Sequence, residues 1–557
     1  MFPDVQPRLA GIHSVSMYVR LYTHREEPGL LPISVGLWPQ SGRSGAWPRN
    51  ALPVEVQSGE AVKEGRSGSR SLAPLSFPFA AGNRLSRGFS LCYVLLMPSR
   101  RTFLGIAAAY PLRAQTKSNV PVFDVAKYGA AGDGKTLDTA AIQRAINAAA
   151  ASGAPAQVLL RGNKKYLVST LQLKSKIDFH LADDAELVVS TRKSDYPANS
   201  EGVITANGAQ DLKISGTGNI DGQALKFMTT FDEEGEIWRF GAFRPKIFVL
   251  TACLGLEVNG IGFSQAPQWG LHMVGCEHVL VDRLTIRNNL DVPNCDGIDP
   301  DHCRDVEIRN CDIVCGDDAI VVKSTREGAQ YGPSFNITVK DCVMETKDSG
   351  LKIGTETVDA IHDIRFEHCE IKSCCRGLTI QLRDEGDVSN VSFTNISFKS
   401  HYTAPPWWGR GEAISLTAIP RKKGMKVGKI HDIHFRNIVG WAENSARIDG
   451  LPESPISNVT LENVSLTFDR WTAYSGAVYD NRPTSAIPDI EKHNTPGICI
   501  RHADHVELNN CSVAWGGKCP DYFTYALETQ AVTDLKTTNF NGKAAHPDRD
   551  KAVMKHS

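Results

Sequence analysis

The sequence predicts an all-β fold, a right-handed parallel β-helix with a capping helix at its N-terminal end. The first observation is a nine-residue pattern that begins at residues 255, 278, 305, 336, 363 and 390, and again at 432, 458 and 505. The second is that no helical periodicity separates the copies. Short repeats without an intervening helix are typical of a solenoid whose coils stack on one another.

Each copy has the pattern of two short strands joined by a corner. Apolar residues stand at places 2, 4, 7 and 9, and a polar pair stands at places 5 and 6, which fits a period of two on either side of a turn. Place 7 alternates Ile, Leu and Val with Cys311, Cys342, Cys369 and Cys511. We therefore predict that these thiols pack in the core, with Cys311, Cys342 and Cys369 as an unoxidised stack.

Residues 136–152 have the pattern of a helix that could cover the first coil. One apolar face is formed by Ile142, Ala145, Ile146 and Ala149. Asp138 is a candidate N-cap residue, and Gly153 follows the end of the pattern. Because the end of a solenoid exposes its core, we expect this helix to close the N-terminal mouth of the β-helix.

The first 96 residues differ from the rest. They are rich in Gly, Pro, Ser and Arg and lack a sustained period of 2 or 3.6. We predict that residues 1–96 are disordered or are an upstream mistranslated segment. Residues 97–114 resemble a twin-arginine signal peptide, with Arg100 and Arg101 before an apolar stretch that ends at Ala114.

This signal predicts export to the periplasm or the cell exterior. The β-helix domain is then predicted at residues 115–545, with a C-terminal tail at residues 546–557. Because twin-arginine substrates fold before export, the cysteines are expected to remain free thiols.

The charge balance excludes a generic polyanion binder. The chain has 61 Lys and Arg against 62 Asp and Glu, a net charge of −1, whereas binding to a phosphate backbone needs a basic excess. No run approaches the roughly 20 apolar residues that span a bilayer. We therefore predict no nucleic-acid partner and no membrane span, and we expect a monomer.

Two turn sequences carry the candidate chemistry. Asn294-Cys295-Asp296 precedes the copy that begins at residue 305, and Gly316-Asp317-Asp318 follows it. Asp296 and Asp317 are 21 residues apart, close to one coil, and coils stack about 4.8 Å apart, so the two turns should be neighbours. Adjacent carboxyls retain one proton more tightly, which lets a general acid and a general base coexist near neutral pH. For inverting sugar hydrolysis, we expect carboxyl groups about 6.5–9.5 Å apart.

Other interpretations of these aspartates remain open at this point. Asp and Asn often satisfy turn backbone, and clustered Asp residues can bind calcium. Three Asp residues on neighbouring turns, flanked by glycines that let a ligand approach the backbone, favour a catalytic site instead.

The chain from about Phe123 to Val513 resembles the polygalacturonase family of glycoside hydrolases, family 28. Asn294-Cys295-Asp296 resembles the family's Asn-Thr-Asp, and Gly316-Asp317-Asp318 resembles its Gly-Asp-Asp. The resemblance implies hydrolysis of a pectin-type polysaccharide or oligosaccharide. It implies that Asp317 is the general acid and that Asp296 and Asp318 activate the attacking water. We predict that no metal or cofactor is required.

Two family motifs are altered. Ser349 stands where the family has the His of Gly-His-Gly, and Thr379 and Gln381 stand where it has the cations of Arg-Ile-Lys. Losing both cations removes the charge-assisted hydrogen bonds that hold a galacturonate carboxylate. We therefore expect a substrate preference that differs from that of a true polygalacturonase.

Several other residues are predicted to bind substrate. Trp407 and Trp408 could stack on sugar rings, although they could equally bury the flank of a long loop. The full predicted substrate-binding set is Asn294, Ser349, Lys352, Gln381, Arg383, Trp407 and Trp408. Lys323 and Arg376 could also supply positive charge.

Two other functions remain open. One is a calcium-dependent polysaccharide lyase on the same fold, and the other is a non-catalytic carbohydrate-binding β-helix. The altered motifs favour the second of these, whereas the three intact aspartates argue against it.

Overall fold

The computed structural model describes residues 16–21, 33–38 and 120–556. In the first part of the chain, Ser16–Leu21 and Ile33–Trp38 pair as antiparallel strands. The disorder or mistranslation of residues 1–96 remains a prediction, and the signal peptide predicted at residues 97–114 lies outside the described residues. None of the helices in these described ranges is long and apolar enough to cross a membrane.

Residues 120–556 form a right-handed parallel β-helix, as the repeat predicts. Its 36 parallel strands form three faces, and each strand pairs with the equivalent strands of the coils before and after it. The face that carries the candidate site is called the cleft sheet here. It contains Leu171–Gln172, Gly202–Asn207, Lys246–Thr251, Leu271–Val274, Ile298–Asp301, Ile320–Ser324, Ser349–Thr357, Arg376–Leu382, Glu412–Ala418, Asn444–Asp449 and Val553–His556.

The other two faces complete each coil. The second face contains Val122–Asp124, Ala156–Leu160, Ile177–Leu181, Gln210–Gly216, Leu254–Asn259, Glu277–Asp282, Arg304–Arg309, Ser334–Lys340 and Ile361–Glu367. The third face contains Asp133–Leu137, Lys164–Val168, Ala185–Val189, Asn219–Asp221, Gly262–Ser264, Thr285–Arg287, Asp312–Cys315, Val343–Thr346, Glu370–Cys374, Ser512–Trp515 and Asn541–Gly542.

Five long strands pass from one face to the next. Val388–Ser400, Ile430–Ala442 and Ile456–Phe468 join the second and third faces, and Ile498–Asn509 and Leu527–Thr538 join the cleft sheet to the second. Two antiparallel hairpins project from the coils. They are Met228–Asp232 with Ile237–Phe240, and Val478–Asp480 with Ile490–Lys492.

The polar residues at place 6 of the repeat form its corners. Asn395, Asn437 and Asn463 have φ of 56°, 55° and 56°, the left-handed conformation that Asn tolerates better than most residues. Their amides also form a ladder, since Asn437 Nδ2 donates to Asn395 Oδ1 at 2.8 Å and Asn463 Nδ2 donates to Asn437 Oδ1 at 3.0 Å. The polar places therefore mark where the chain must turn.

The apolar places fill one continuous core inside the coils. Cys311, Cys342, Cys369 and Cys511 are all buried in it, which confirms the inward orientation predicted for place 7. All thirteen cysteines in the described ranges are free thiols, and twelve of them are buried. The cysteines thus serve as small apolar side chains.

The capping helix, α1, spans Thr139–Ala151. The predicted apolar face, Ile142, Ala145, Ile146 and Ala149, is fully buried, and Gly153 has a left-handed φ of 71°. The predicted capping by Asp138 is wrong in one respect: its carboxylate accepts hydrogen bonds from the backbone N–H groups of Ala131 and Gly132 at 2.6 and 2.9 Å. Asp138 therefore holds the turn before the helix rather than the first helical turn.

The tail predicted at residues 546–557 also needs correction. Val553–His556 forms a strand that pairs in parallel with Leu527–Gln530, so the β-helix continues into this segment. The strand is mostly exposed and short, which explains why its sequence does not stand out from a tail.

Candidate active site

A cavity of about 210 Å³ opens on the outer face of the cleft sheet. Strands of this sheet are stacked in register, so the same position of successive coils lies in one column. Each of these strands has an inward-facing Ile or Leu at the same level. The residues two positions before it form one column on successive coils: Trp269, Asp296, Asp318, Ser349 and Arg376. The regular coil spacing of about 4.8 Å therefore places Asp296 next to Asp318.

Asp317 completes a cluster of three carboxyl groups. One carboxyl oxygen of each of Asp296, Asp317 and Asp318 lies within 4.8 Å of an oxygen of the other two, and all three side chains are buried. The structure thus brings together the three predicted catalytic residues at the wall of one cavity.

The Asp317 carboxyl is held by two backbone groups. Its Oδ2 accepts a hydrogen bond from Asn294 N at 3.0 Å, and its Oδ1 accepts one from Asp318 N at 2.9 Å. Asn294 presents its N–H from a left-handed conformation with φ of 56°, and Arg244 Nη2 donates to its side-chain oxygen at 2.9 Å. The turn of one coil therefore fixes the carboxyl of the next.

Burial changes the acidity of this cluster. Burial raises the pKa of Asp317 well above its usual range, and the neighbouring Asp296, Asp348 and Asp318 raise it further. The pKa of Asp296 is also raised well above its usual range, first by burial and then by Asp299. A low-polarity site disfavours the charged form of a carboxyl group, so these two groups are suited to retain protons.

The expected spacing of 6.5–9.5 Å is not what the cluster shows. Oxygens within 4.8 Å of one another are closer than the usual separation of an inverting pair and nearer the roughly 5–5.5 Å of a retaining pair. The backbone N–H of Asn294, on one coil, holds the Asp317 carboxyl of the next coil, and this contact places the acid beside Asp296 and Asp318. The separation that distinguishes inverting from retaining enzymes is defined for two carboxyl groups, whereas this site has three.

Two carboxyl oxygens face no protein donor. Asp296 Oδ1 and Asp318 Oδ1 are buried and have no hydrogen-bond partner among the described residues. Buried polar atoms are generally paired, so these oxygens point to a role in binding water or substrate. Asp296 and Asp318 occupy equivalent positions on adjacent coils, so each free oxygen could accept a hydrogen bond from the same water.

Positive charge is supplied from neighbouring coils. Lys352 Nζ donates to Asp318 Oδ2 at 2.7 Å, and Lys323 Nζ donates to Glu356 Oε2 at 3.2 Å. Arg376 pairs with Asp348 through a 3.2 Å hydrogen bond. These cations offset the cluster's charge, since an uncompensated buried carboxylate is costly.

Four of the seven predicted substrate-binding residues line the cavity: Asn294, Lys352, Gln381 and Trp408. The Gln381 amide is buried, and neither its oxygen nor its nitrogen has a hydrogen-bond partner in the described part of the chain. This amide stands where the related motif has a cation, and its free donor and acceptor suit a sugar hydroxyl.

The other three predicted substrate-binding residues do not line the cavity. Ser349 is fully buried, and its hydroxyl donates to Asp348 Oδ1 at 3.0 Å. Arg383 is also fully buried and donates to backbone oxygens of Leu382, Thr417 and Asn481. Burial lowers the pKa of Arg383 to about 9, with neighbouring arginines contributing.

Each of the two interpretations left open for Trp407 and Trp408 applies to one residue of the pair. Trp408 lines the cavity, whereas Trp407 is fully buried against Ile237 and Ala404 and donates its indole N–H to Glu236 O at 3.1 Å. The two residues lie in a bend of the loop, and only Trp408 of the pair reaches the cavity. Trp407 therefore anchors the loop on which Trp408 is presented.

Several further residues of the site are not predicted from the sequence. Asp348, Glu356 and Arg482 line the cavity, and their contacts with Arg376, Lys323 and Trp407 join segments that no local motif connects. Asp299 is fully buried, and both of its carboxyl oxygens are without a hydrogen-bond partner in residues 120–556. Burial raises the pKa of Asp299 to about 7. Its position three residues after Asp296 was the one available signal.

The cluster could also be considered as a metal site. The three aspartate oxygens lie close enough together to share one cation. However, Lys352 already approaches Asp318 at 2.7 Å, and its ammonium group supplies positive charge where a divalent ion would have to compete.

A parallel β-helix with converging carboxyl groups in an outward-facing cavity defines the class of a glycoside-cleaving enzyme. The family of glycosyl hydrolases designated family 28 matches residues 152–478, and the chain belongs to this family. It is therefore a glycoside hydrolase.

Individual relatives agree with this assignment. A probable polygalacturonase of Vitis vinifera is 27% identical over 427 residues, which cover 69% of this chain and 85% of the relative. An exopolygalacturonase of Zea mays is 26% identical over 402 residues, covering 68% of this chain and 89% of the relative. The family 28 exopolygalacturonase of Yersinia enterocolitica has the same fold, with a TM-score of 0.57 at 19% identity, over 75% of this chain and 78% of that one.

Proposed function

We propose that this glycoside hydrolase cleaves a pectin-type polysaccharide or oligosaccharide by general acid catalysis and direct attack of water, with inversion. The observation that carries the proposal is the cluster of Asp296, Asp317 and Asp318 at the wall of the cavity. Asp317 donates the proton to the leaving-group oxygen, and Asp296 and Asp318 activate the attacking water: Asp318, which is paired with Lys352, takes its proton, and Asp296 orients it.

The environment of Asp317 supports its role as the acid. A general acid must be protonated at the working pH, and burial together with three neighbouring carboxyls raises the pKa of Asp317. The two backbone N–H groups at 3.0 and 2.9 Å fix the carboxyl in one orientation. They also stabilise the carboxylate that remains after the proton has been transferred.

The environment of Asp318 supports its role at the water. Lys352 donates a hydrogen bond to one oxygen of Asp318, and the other oxygen has no hydrogen-bond partner among the described residues. The free oxygen of Asp296 lies on the adjacent coil. Two acceptors from successive coils can hold one water in a fixed orientation, which lowers the entropy cost of the attack.

The cations around the cavity support an acidic substrate. Lys323, Lys352, Arg376 and Arg482 all line it, although Thr379 and Gln381 replace the cations of the related motif. Arg376 already has three acidic neighbours, Asp348, Glu412 and Asp480 at 3.2, 3.9 and 3.6 Å, although its Nε and Nη2 make no hydrogen bond in the described ranges. The polygalacturonase relatives also favour a galacturonate-containing substrate.

Gln381 supports a preference different from that of a true polygalacturonase. Its neutral amide can bind a hydroxyl group but cannot neutralise a carboxylate. We therefore propose rhamnose-containing or branched pectin fragments as substrates alongside plain polygalacturonate.

Replacement of the acid gives the first test. Asp317→Asn removes the proton donor but keeps the shape of the side chain, so kcat should fall by about 10²–10⁴-fold or more. Asp312→Asn, an exposed aspartate five residues away, is the matched control and should retain activity. Activity is measured by reducing-sugar release from polygalacturonate, rhamnose-containing pectin fragments and a neutral polymer.

The outcomes of this screen separate the three candidate functions. Full activity of Asp317→Asn would contradict the assignment of the acid. A product with the absorbance of a 4,5-unsaturated sugar, dependent on calcium, would identify a lyase. Binding without turnover of any polymer would identify a carbohydrate-binding protein.

The pH dependence gives a second test. Activity requires protonated Asp317, so kcat/KM should fall as the pH rises through the raised pKa of this group. Because an ordinary aspartate titrates near pH 4, the alkaline limb should lie well above that value. A limb close to pH 4 would show that Asp317 is not the proton donor.

We also propose that the protein is exported by the twin-arginine route to the periplasm or the cell exterior, where polymeric pectin is found. The support is the sequence from Arg100 to Ala114. Replacement of Arg100 and Arg101 by lysine should retain the protein in the cytoplasm, as measured by cell fractionation. Unchanged export of this variant would contradict the proposal.

A further inference from the structure

The hairpin between Val478 and Lys492 lies across the cleft sheet, and it is called the strap here. Its strands Val478–Asp480 and Ile490–Lys492 pair antiparallel, and the connecting residues 481–489 extend from them. The strap is inserted before the cleft-sheet strand that begins at Ile498. It starts on the same side of the sheet as the turns that carry Asp296 and Asp317.

The strap is attached at both sides of the sheet. At the near side, Gly409 N donates to Asp480 Oδ2 at 2.8 Å and Arg482 Nη2 donates to Trp407 O at 2.6 Å. At the far side, Ser485 N donates to Arg421 O at 2.8 Å. Residues 407–409 precede the strand Glu412–Ala418, whereas Arg421 follows it, so the strap crosses the full width of the sheet.

No space for a sugar remains beneath the strap. Arg447 Nη1 donates to Asn481 Oδ1 at 2.8 Å, and Arg383 Nη2 donates to Asn481 O at 3.4 Å. Both arginines project from the sheet, and both are at most 1% exposed. Thr417, between them on the sheet, is also buried. The strap is thus in direct contact with the sheet.

The strap separates two cavities on the same face. Arg482 and Pro483 line the cavity of the catalytic aspartates. Tyr479 and His493 line a second cavity of about 240 Å³, together with Arg501 of the next cleft-sheet strand. A groove that follows the sheet would join these two cavities if the strap were absent.

We propose that the strap closes the active-site cleft at this end, so that the enzyme releases short products from a chain end and does not cut internal bonds. This inference rests on the proposed function. The strand Glu412–Ala418 is three coils from Ile320–Ser324, so the barrier stands about 14 Å from Asp318 along the cleft. A bound chain therefore cannot continue past the strap in this direction.

Product analysis of the wild-type enzyme gives the first test. For each pectin polymer that it cleaves, reducing ends should increase while viscosity falls little, and one short product should be present from the first time point. An early ladder of intermediate lengths with a rapid fall in viscosity would overturn the inference. It would leave the proposed function intact, because internal cleavage also requires Asp317.

Binding gives a test that does not depend on turnover. The affinity of Asp317→Asn for oligogalacturonides of increasing length is measured by calorimetry, together with that for polygalacturonate. If only chain ends enter the cleft, the number of polymer molecules bound should follow the number of ends. Several enzyme molecules bound along each polymer chain would overturn the inference, and so would the absence of any binding.

A shortened strap gives the converse test. Replacement of residues 482–488 by two glycines removes the crossing segment and should add internal cleavage, seen as at least a several-fold faster fall in viscosity per bond cleaved. Thr484→Val, which removes the hydroxyl that donates to Pro420 O and accepts from Ala486 N, is the control and should leave the product pattern unchanged. An unchanged product pattern in a folded shortened variant would overturn the inference. If that variant does not fold, the wild-type product analysis and the binding measurement decide between chain-end and internal cleavage.

Discussion

The in-register stacking of coils determines where every functional group lies. Because strands of the cleft sheet pair residue by residue, a side chain on one coil has its equivalent about 4.8 Å away on the next. This constraint brings Asp296 and Asp318 together from residues 22 apart in the sequence. It also places the Asn294 N–H on the carboxyl of Asp317. The site therefore depends on the β-helix register more than on any single loop.

A dense group of buried carboxyls is tolerable only with nearby positive charge. Lys352, Lys323 and Arg376 each pair with an acid of this group, namely Asp318, Glu356 and Asp348. Buried ion pairs of this kind contribute little net stability, but removing one partner is costly. The cations therefore compensate the acids of the cavity wall. This explains how cations can surround the site although Thr379 and Gln381 are neutral.

The sequence predicted the features that arise from local pattern. The polar corners, the inward cysteines, the apolar face of α1 and the two aspartate motifs all follow from residues within one coil or its neighbour. Its errors concern contacts between distant segments. Arg383 donates a hydrogen bond to Asn481, 98 residues away, and Trp407 donates one to Glu236, 171 residues away. Neither contact leaves a signal in the local sequence. Asp138 was assigned to the helix that follows it, whereas its carboxylate turns back to Ala131 and Gly132.

In the proposed mechanism, water attacks the sugar directly while Asp317 protonates the leaving group. One oxygen of each carboxyl lies within 4.8 Å of the others, and because a pair of carboxyl groups at about 5 Å could also act through a covalent intermediate, the stereochemistry is decisive. Proton NMR of the products in the first minutes of hydrolysis, before the anomers equilibrate, reports the configuration at the cleaved carbon. Direct attack predicts the inverted anomer from the first spectrum. The retained anomer would contradict the account and would assign a nucleophile to the cluster.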